Sequence, residues 1–388
     1  MTRTTCTVAA LACGAGTALA QDTIELFGVT YDVTRLDYSQ ITFENPFFPA
    51  FDLTLVEVEG TYYLPDTDSL LLSTDALGDQ SGPTNAIVEV DLVRDGGGAI
   101  VDIEFNRVVL FVDETMDFDL NIAGLAINTG DTGPGAGGNI VAASGELFLM
   151  GFDLASGALQ ELTPGCAAFA CGLPTSPENT NLEDVAYIPS RDAFYTVEEE
   201  DGPDHNVVIF GTDGAFQGSF PVAVTLDPST SGSPKGIVHL QDGDASNPFG
   251  QDAIIVALDD EGPGLQGLDL DGNLLAFESL TDDMGAPRLD VDGLVLQLES
   301  LGYDRDRGTL FLTNQGDVFT QNFLWVLEPQ GSAPCRADID GDGELTIFDF
   351  LAFQNLFDAG DLGADFDGDG ELTLFDFLAF QNEFDAGC

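Results

Sequence analysis

Val58-Glu59-Gly60-Thr61-Tyr62-Tyr63 runs on to Ser69-Leu70-Leu71-Leu72-Ser73-Thr74, and the same phrase returns twice along the chain. Leu182-Glu183-Asp184-Val185-Ala186-Tyr187 leads to Ala193-Phe194-Tyr195-Thr196-Val197, and Leu298-Glu299-Ser300-Leu301-Gly302-Tyr303 leads to Thr309-Leu310-Phe311-Leu312-Thr313. Two looser copies, Ala123-Gly124-Leu125-Ala126 and Lys235-Gly236-Ile237-Val238, lie between them. The starts at 59, 123, 183, 235 and 299 fall 52 to 64 residues apart. A repeat of this length is a supersecondary unit that cannot bury its apolar face alone and must stack on its neighbours.

Around these phrases, short apolar runs alternate with turns rich in Gly, Asp and Pro. Strands are expected at 69–74, 86–92, 107–113, 193–197, 207–210, 253–258 and 309–313, each bounded by turn residues. No long stretch between 21 and 330 has helical periodicity. Each unit continues to a strand ending in an Asp-x-x-Gly type of turn, as at 210–214 and 268–272. The 45 Gly and 18 Pro are spread through the chain, as an all-β protein with many turns requires. The expected architecture over 21–330 is therefore an all-β β-propeller of five or six blades, each a four-stranded sheet packed on the next. Residues 24–52 either complete a sixth blade or close the ring.

At 388 residues the chain is long for one domain and suits a large domain with an appendage. It carries 68 acidic residues against 10 Lys and Arg, a formal charge of −58. Such a field repels nucleic acid and anionic lipid, which excludes both as partners. It is read either as adaptation to a saline habitat, where like charges are screened, or as bulk calcium loading. The start, with Arg3, a small apolar run over 8–18 and Ala18-Leu19-Ala20 before Gln21, reads as an export signal over 1–20. Cys13 offers a lipoprotein box as the alternative, although the apolar run before it is short. No later run reaches the roughly 18 apolar residues of a membrane helix, so the expectation is a secreted or cell-surface protein that does not span the membrane.

Export leaves Cys166, Cys171, Cys335 and Cys388, an even set in an oxidising compartment, and their spacing lacks the CxxC of a zinc site. Disulfides are expected, with three pairings open; Cys166 with Cys171 closes a small loop, and Cys335 with Cys388 brackets the C-terminal segment.

That segment, 331–388, is a duplication. Residues 337–360 read ADIDGDGELTIFDFLAFQNLFDAG and residues 364–387 read ADFDGDGELTLFDFLAFQNEFDAG, identical at 21 of 24 positions. Each copy has the spacing of an EF-hand calcium loop. In the first, Asp338, Asp340 and Asp342 take positions one, three and five, Gly343 makes the turn, Glu344 offers its carbonyl, and Thr346 and Asp349 take positions nine and twelve. The second repeats this with Asp365, Asp367, Asp369, Gly370, Glu371, Thr373 and Asp376. Calcium takes six to eight hard oxygen ligands, and carboxylates crowded this closely repel one another without an ion, so folding is expected to be coupled to Ca2+. On the helices, Phe350 and Phe357 with Leu351 are expected to pack the two units together. Phe348 and Phe353, like Phe375 and Phe380, are expected to face elsewhere.

An Asp instead of Glu at position twelve, and a loop followed by a single helix, make the segment resemble a type I dockerin, in particular the dockerin-like tails of exported planctomycete proteins. The resemblance implies docking to a cohesin-like or other cell-envelope protein receptor, with Cys335 and Cys388 clasping the two ends. Positions ten and eleven, where dockerins carry small polar recognition residues, are Ile347-Phe348 and Leu374-Phe375 here, which points away from a standard cohesin.

The repeat over 24–330 loosely resembles the phytase-like or esterase-like propeller family, which implies a site where equivalent loops converge on the central channel. Glu59, Glu183 and Glu299 open three units at matched positions. If they line one mouth of the channel, they could hold calcium and polarise a phosphate or ester. The competing reading is that they solvate loop ends or bond the next blade's backbone. No nucleophile elbow is present, and His205 and His239 lie in different units. Two functions follow: an exported docked protein whose propeller binds a ligand or surface partner, or a secreted calcium-dependent hydrolase of phosphoesters, esters or lactones.

Overall fold

The computed structural model describes residues 22–44, 52–74, 84–95, 98–113, 122–144, 148–158, 173–174, 181–199, 206–222, 233–244, 247–259, 263–282, 286–289, 296–314, 322–330, 337, 339, 346–359, 364, 366 and 372–386. Residues 1–21, with the expected export signal, His205, Cys166, Cys171, Cys335 and Cys388, and Asp338, Asp340, Asp342, Glu344, Asp365, Asp367, Asp369 and Glu371 lie outside the described residues.

Strands β1 (Asp22–Leu26) and β2 (Val29–Asp37) open the chain, followed by a short pair, β3 (Thr42–Glu44) and β4 (Asp52–Thr54). The first blade is β5 (Val58–Leu64), β6 (Ser69–Thr74), β7 (Thr84–Arg94) and β8 (Ile100–Asp113). The second is β9 (Ile122–Asn128), β10 (Asn139–Ser144), β11 (Phe148–Phe152) and β12 (Leu173–Pro174). The third is β13 (Asn181–Ile188), β14 (Ala193–Glu199), β15 (Asn206–Gly211) and β16 (Phe216–Pro221). The fourth is β17 (Pro234–Leu240), β18 (Ala253–Leu258), β19 (Gly264–Asp269) and β20 (Leu274–Ser279). The fifth starts as β21 (Leu298–Asp304), β22 (Thr309–Asn314) and β23 (Phe323–Pro329) and is completed by β2 and β1 from the opposite end of the chain.

The expectation of five or six blades thus resolves to five among the described residues. The N-terminal strands build no sixth blade, because β2 has an open partner in β23 and pairs with it from Tyr31↔Pro329 to Asp37↔Phe323. Sewing the first strands into the last blade closes the ring and covers β23, with β1 taking the edge. The inner strands pack in a cycle, β5 on β9, β9 on β13, β13 on β17, β17 on β21 and β21 on β5.

The core follows from this geometry. Five apolar clusters each fill one junction between blades. Trp325, fully buried, anchors the junction of blades four and five. Polar side chains stitch the same junctions. Ser73 donates to the Ala123 carbonyl, the Ile237 and Leu298 N–H groups donate to Asp184 and Asp259, and Thr313 donates to the Val58 carbonyl. The turns predicted at 210–214 and 268–272 are tight hairpins in which Gly214 and Gly272 take φ of 78° and 84°, the left-handed region that favours glycine.

Two helices, α1 (Ile347–Ala359) and α2 (Leu374–Ala386), follow the propeller. Each opens on a Thr-x-x-Asp capping box. The Thr346 N–H donates to Asp349 Oδ2 at 2.8 Å while the Thr346 hydroxyl accepts from the Phe348 N–H, and the Thr373 N–H donates to Asp376. The helix interface corrects the sequence reading. Phe353 and Phe380, expected to face elsewhere, are its buried centre, stacked 4.3 Å apart at 10°. Phe350 and Phe357 flank them, but Leu351 is exposed. The reason is the period of the helix: with Phe every third or fourth position, the stripe through Phe350, Phe353 and Phe357 is continuous, and Leu351 falls beside it. Ile347, Phe348, Leu351, Leu374 and Leu378 remain exposed. No helix among the described residues is long and apolar enough to cross a membrane.

Candidate functional site

The repeated phrase has a structural cause. In β5, β13, β17 and β21 the pairing with the second strand slips by one residue, and the extra residue is Glu59, Glu183, Lys235 and Glu299 respectively. The matching slip in β9 falls within 122–125, beside Ala123. The position read as an acid at the head of each unit is therefore a β-bulge, a device that re-aims a side chain and sharpens local twist. In three blades the residue after the bulge is a glycine, Gly60, Gly124 or Gly236, because the inner strands approach closely there. A Cβ on Gly60 would meet the Ala123 carbonyl, and one on Gly124 would overlap the backbone of Asp184.

The bulge ring is not uniformly acidic. Going round it, the residues are Glu59, Ala123, Glu183, Lys235 and Glu299. Lys235 Nζ lies 3.2 Å from Glu183 Oε2, both nearly buried, so one carboxylate is neutralised from within. Glu299 is buried and Glu59 half-buried. Among the described residues no three His, Cys, Asp or Glu side chains gather at metal-binding spacing. The residue that bonds the neighbouring blades is the next one, Asp184, whose carboxylate accepts from the Val185 and Ile237 N–H groups at 2.8 Å each and from the Leu125 N–H. Burial pushes this carboxyl above the usual range, against the pull of those three donors.

A cavity of about 250 Å³ opens at the other end of the inner strands, lined from all five blades. Four residues past each bulge stand Tyr63, Ile127, Tyr187, His239 and Tyr303, all on its wall, with Tyr62 and Arg305 beside them. Two of the tyrosines are tied back. Tyr63 donates to Asp68 at 3.0 Å and Tyr187 to Asp192 at 2.8 Å, each acid sitting five residues on in a left-handed turn (φ 48° and 47°). The Tyr62 hydroxyl makes no hydrogen bond among the described residues.

Arg305 organises the fourth and fifth blades. Its guanidinium donates to Gln241 Oε1 at 3.1 Å and lies 3.0 Å from His239 Nδ1. Because guanidinium only donates, Nδ1 must hold a lone pair, and the imidazole is neutral with its proton on Nε2. Burial, helped by the Arg305 charge, lowers the His239 pKa to about 4 against the opposing pull of Asp252. A depressed histidine contributes stability that is present above its unfolded value of about 6.5 and lost as pH falls toward 4. The wild-type protein should therefore lose about 2 kcal/mol between pH 7.5 and pH 5 relative to His239→Gln, whose amide still accepts from Arg305. Parallel melting curves across that range test this; curves that stay parallel would mean the ring is not held neutral.

The sequence points to the bulge residues, whereas the cavity wall is built from the residues four positions further on. Tyr63, Tyr187 and Tyr303 were legible as repeat markers, and their common offset from the bulge was the available signal. Arg305 stands in an Arg-Asp-Arg turn with no repeat counterpart, and nothing local marks it. Thr346, Asp349, Thr373 and Asp376 sit at the helix starts, where the capping boxes use them.

No family model matches the chain, and no curated protein matches it. Solved structures with some likeness include Raptor from Chaetomium thermophilum, with a TM-score of 0.37 and 8% identity over 72% of this chain and 29% of that one. Another is BBS1N in complex with ARL6DN, with a TM-score of 0.34 and 13% identity over 79% and 77% of the two chains. A glucose dehydrogenase gives 0.39 and 16% over 71% and 84%. The chain spans under a third of the Raptor chain it matches. None of these likenesses carries an argument about function. The class rests on the chain's own strand order: a five-bladed β-propeller arrangement followed by two short helices.

Proposed function

We propose that this is an exported binding protein, in which a calcium-dependent docking module over 331–388 carries a propeller that holds a small ligand in its channel. The observation that carries the second half is the cavity, to which every blade contributes a side chain from one matched position. Binding is favoured over hydrolysis because the one described histidine on the wall spends Nδ1 on Arg305, and because Lys235 already supplies positive charge in the bulge ring. The docking half is supported by the duplicated calcium-loop spacing and by matched exposed apolar residues, Ile347 with Leu374 and Leu351 with Leu378, one set per repeat. Paired apolar patches on a small module suit a protein receptor, the O-ring of which would be polar.

Full-length protein mixed with cell envelopes is expected to be retained in Ca2+ and released by a chelator, with helical signal falling on chelation while the strand signal persists. Ile347→Asp with Leu374→Asp should weaken retention at least tenfold without changing the calcium response. Retention indifferent to chelator would overturn the docking proposal.

A further inference from the structure

The cavity is walled mainly by aromatic and aliphatic side chains, yet an arginine opens onto it. In this acidic chain four of the described arginines are held by acids. Arg94, Arg107, Arg191 and Arg307 each lie within 2.7 to 3.3 Å of a carboxylate. Arg305 instead contacts only a neutral amide and a neutral imidazole, and no carboxylate among the described residues comes within ion-pair distance. Two acids that feel its charge are engaged elsewhere. Asp244 accepts from the Gln241 N–H, and Asp252 accepts from the Asp242 N–H and the Ser190 hydroxyl. Two of the five guanidinium donors are used by Gln241 and His239, and the remaining donors form the fork that fits a carboxylate bidentately. Tyr62 adds a free hydroxyl on the same wall.

We propose that the propeller cavity binds a single-ring aromatic monocarboxylate, its carboxylate on Arg305 and Tyr62 and its ring among Tyr187, Tyr303 and Ile127. The inference rests on the reading of the channel as a ligand site and adds the ligand's chemistry. The size supports one ring with a short arm, since a cavity of roughly 150 Å³ already holds benzene and this one is about 250 Å³. One guanidinium matches one negative charge. Asp306, the carboxylate on the lining, sits exposed at the rim, and with the net charge of −58 it opposes a phosphate dianion or any polyanion. The neutral His239 adds no second positive charge. The tyrosine rings supply stacking surface whose offset and edge-on contacts suit an aromatic ligand.

The test is calorimetric titration of the full-length protein with phenylpropanoate, the neutral phenylpropanol, and inorganic phosphate. The expected result is saturable binding of phenylpropanoate, at least tenfold weaker binding of the alcohol, and none of phosphate. Arg305→Gln should abolish the preference for acid over alcohol, and Tyr62→Phe should weaken acid binding severalfold, both with melting temperatures near wild type. If acid and alcohol bind alike, or Arg305→Gln leaves the preference intact, the monocarboxylate proposal fails while the cavity remains a ligand site. If no probe of this size binds at all, the reading of the channel as a small-ligand site falls as well.

Discussion

Gly124→Ala is expected to destabilise the propeller by about 3 to 4 kcal/mol, toward or beyond the upper end of ordinary overpacking, lowering the melting temperature by on the order of 10 °C. The added methyl has nowhere to go. It would overlap both the Asp184 carboxylate and the Asp184 Cα, and the second obstacle is backbone that no rotamer change can clear. Relief requires β13 to move away from β9, which pulls Asp184 off the Leu125 N–H and loosens the apolar cluster of Ala126, Val141, Leu182 and Val185. Gly60→Ala should behave similarly, since its methyl would meet the Ala123 carbonyl and Ser73 Oγ. A thermal melt followed by near-ultraviolet dichroism decides the matter. A shift of only a degree or two would mean that the inner strands are not in close approach at the bulge ring.

These glycines show what could be read from the sequence and what could not. The repeat was legible because a bulge recurs at the head of each inner strand, and in three blades the close approach after it selects glycine: Glu59-Gly60, Ala123-Gly124, Lys235-Gly236. Strands 69–74 and 253–258 were legible to the residue because each is an apolar run bounded by turn residues, and burial of every position leaves no room for alternation. Ring closure by β2 was not legible, since pairing between residues nearly three hundred positions apart leaves no local mark. The spacing of the acids was legible because it follows the bulge, but nothing in the sequence marks Lys235 as the partner of Glu183. In the C-terminal segment the phenylalanine-rich helices misled the choice of face. When apolar residues cover most of a helix, periodicity no longer singles out one stripe, and the stacking of Phe353 on Phe380 decided it.

Asp184→Ala should be the most damaging change to a polar residue in the propeller, costing about 4 to 5 kcal/mol. Asp184 is 1% exposed and its carboxylate is the acceptor for three backbone N–H groups on three inner strands, β9, β13 and β17. Those donors sit where the strands lack mutual ladder bonds, because inner strands of different blades face each other edge to edge across the channel. Removing the acceptor leaves the Leu125, Val185 and Ile237 N–H groups buried and unpaired, and each such group costs about 1 to 3 kcal/mol, with less than full additivity since they share one site. Asp184→Asn discriminates packing from hydrogen bonding. It keeps the volume and one acceptor oxygen but turns an amide NH2 toward a backbone donor, so it should fall between wild type and alanine. Hydrogen exchange offers the sharpest measurement. In the alanine variant the amides of Leu125 and Ile237 should lose protection by a hundredfold or more relative to Val141 in the second strand of blade two, which Asp184 does not touch. Equal loss of protection at all three would mean that the ring opens globally and that Asp184 holds no particular pair of blades. Loss confined to Leu125 and Ile237 would identify this one carboxylate as the joint between blades two, three and four, the same side of the channel on which Tyr187 and His239 stand.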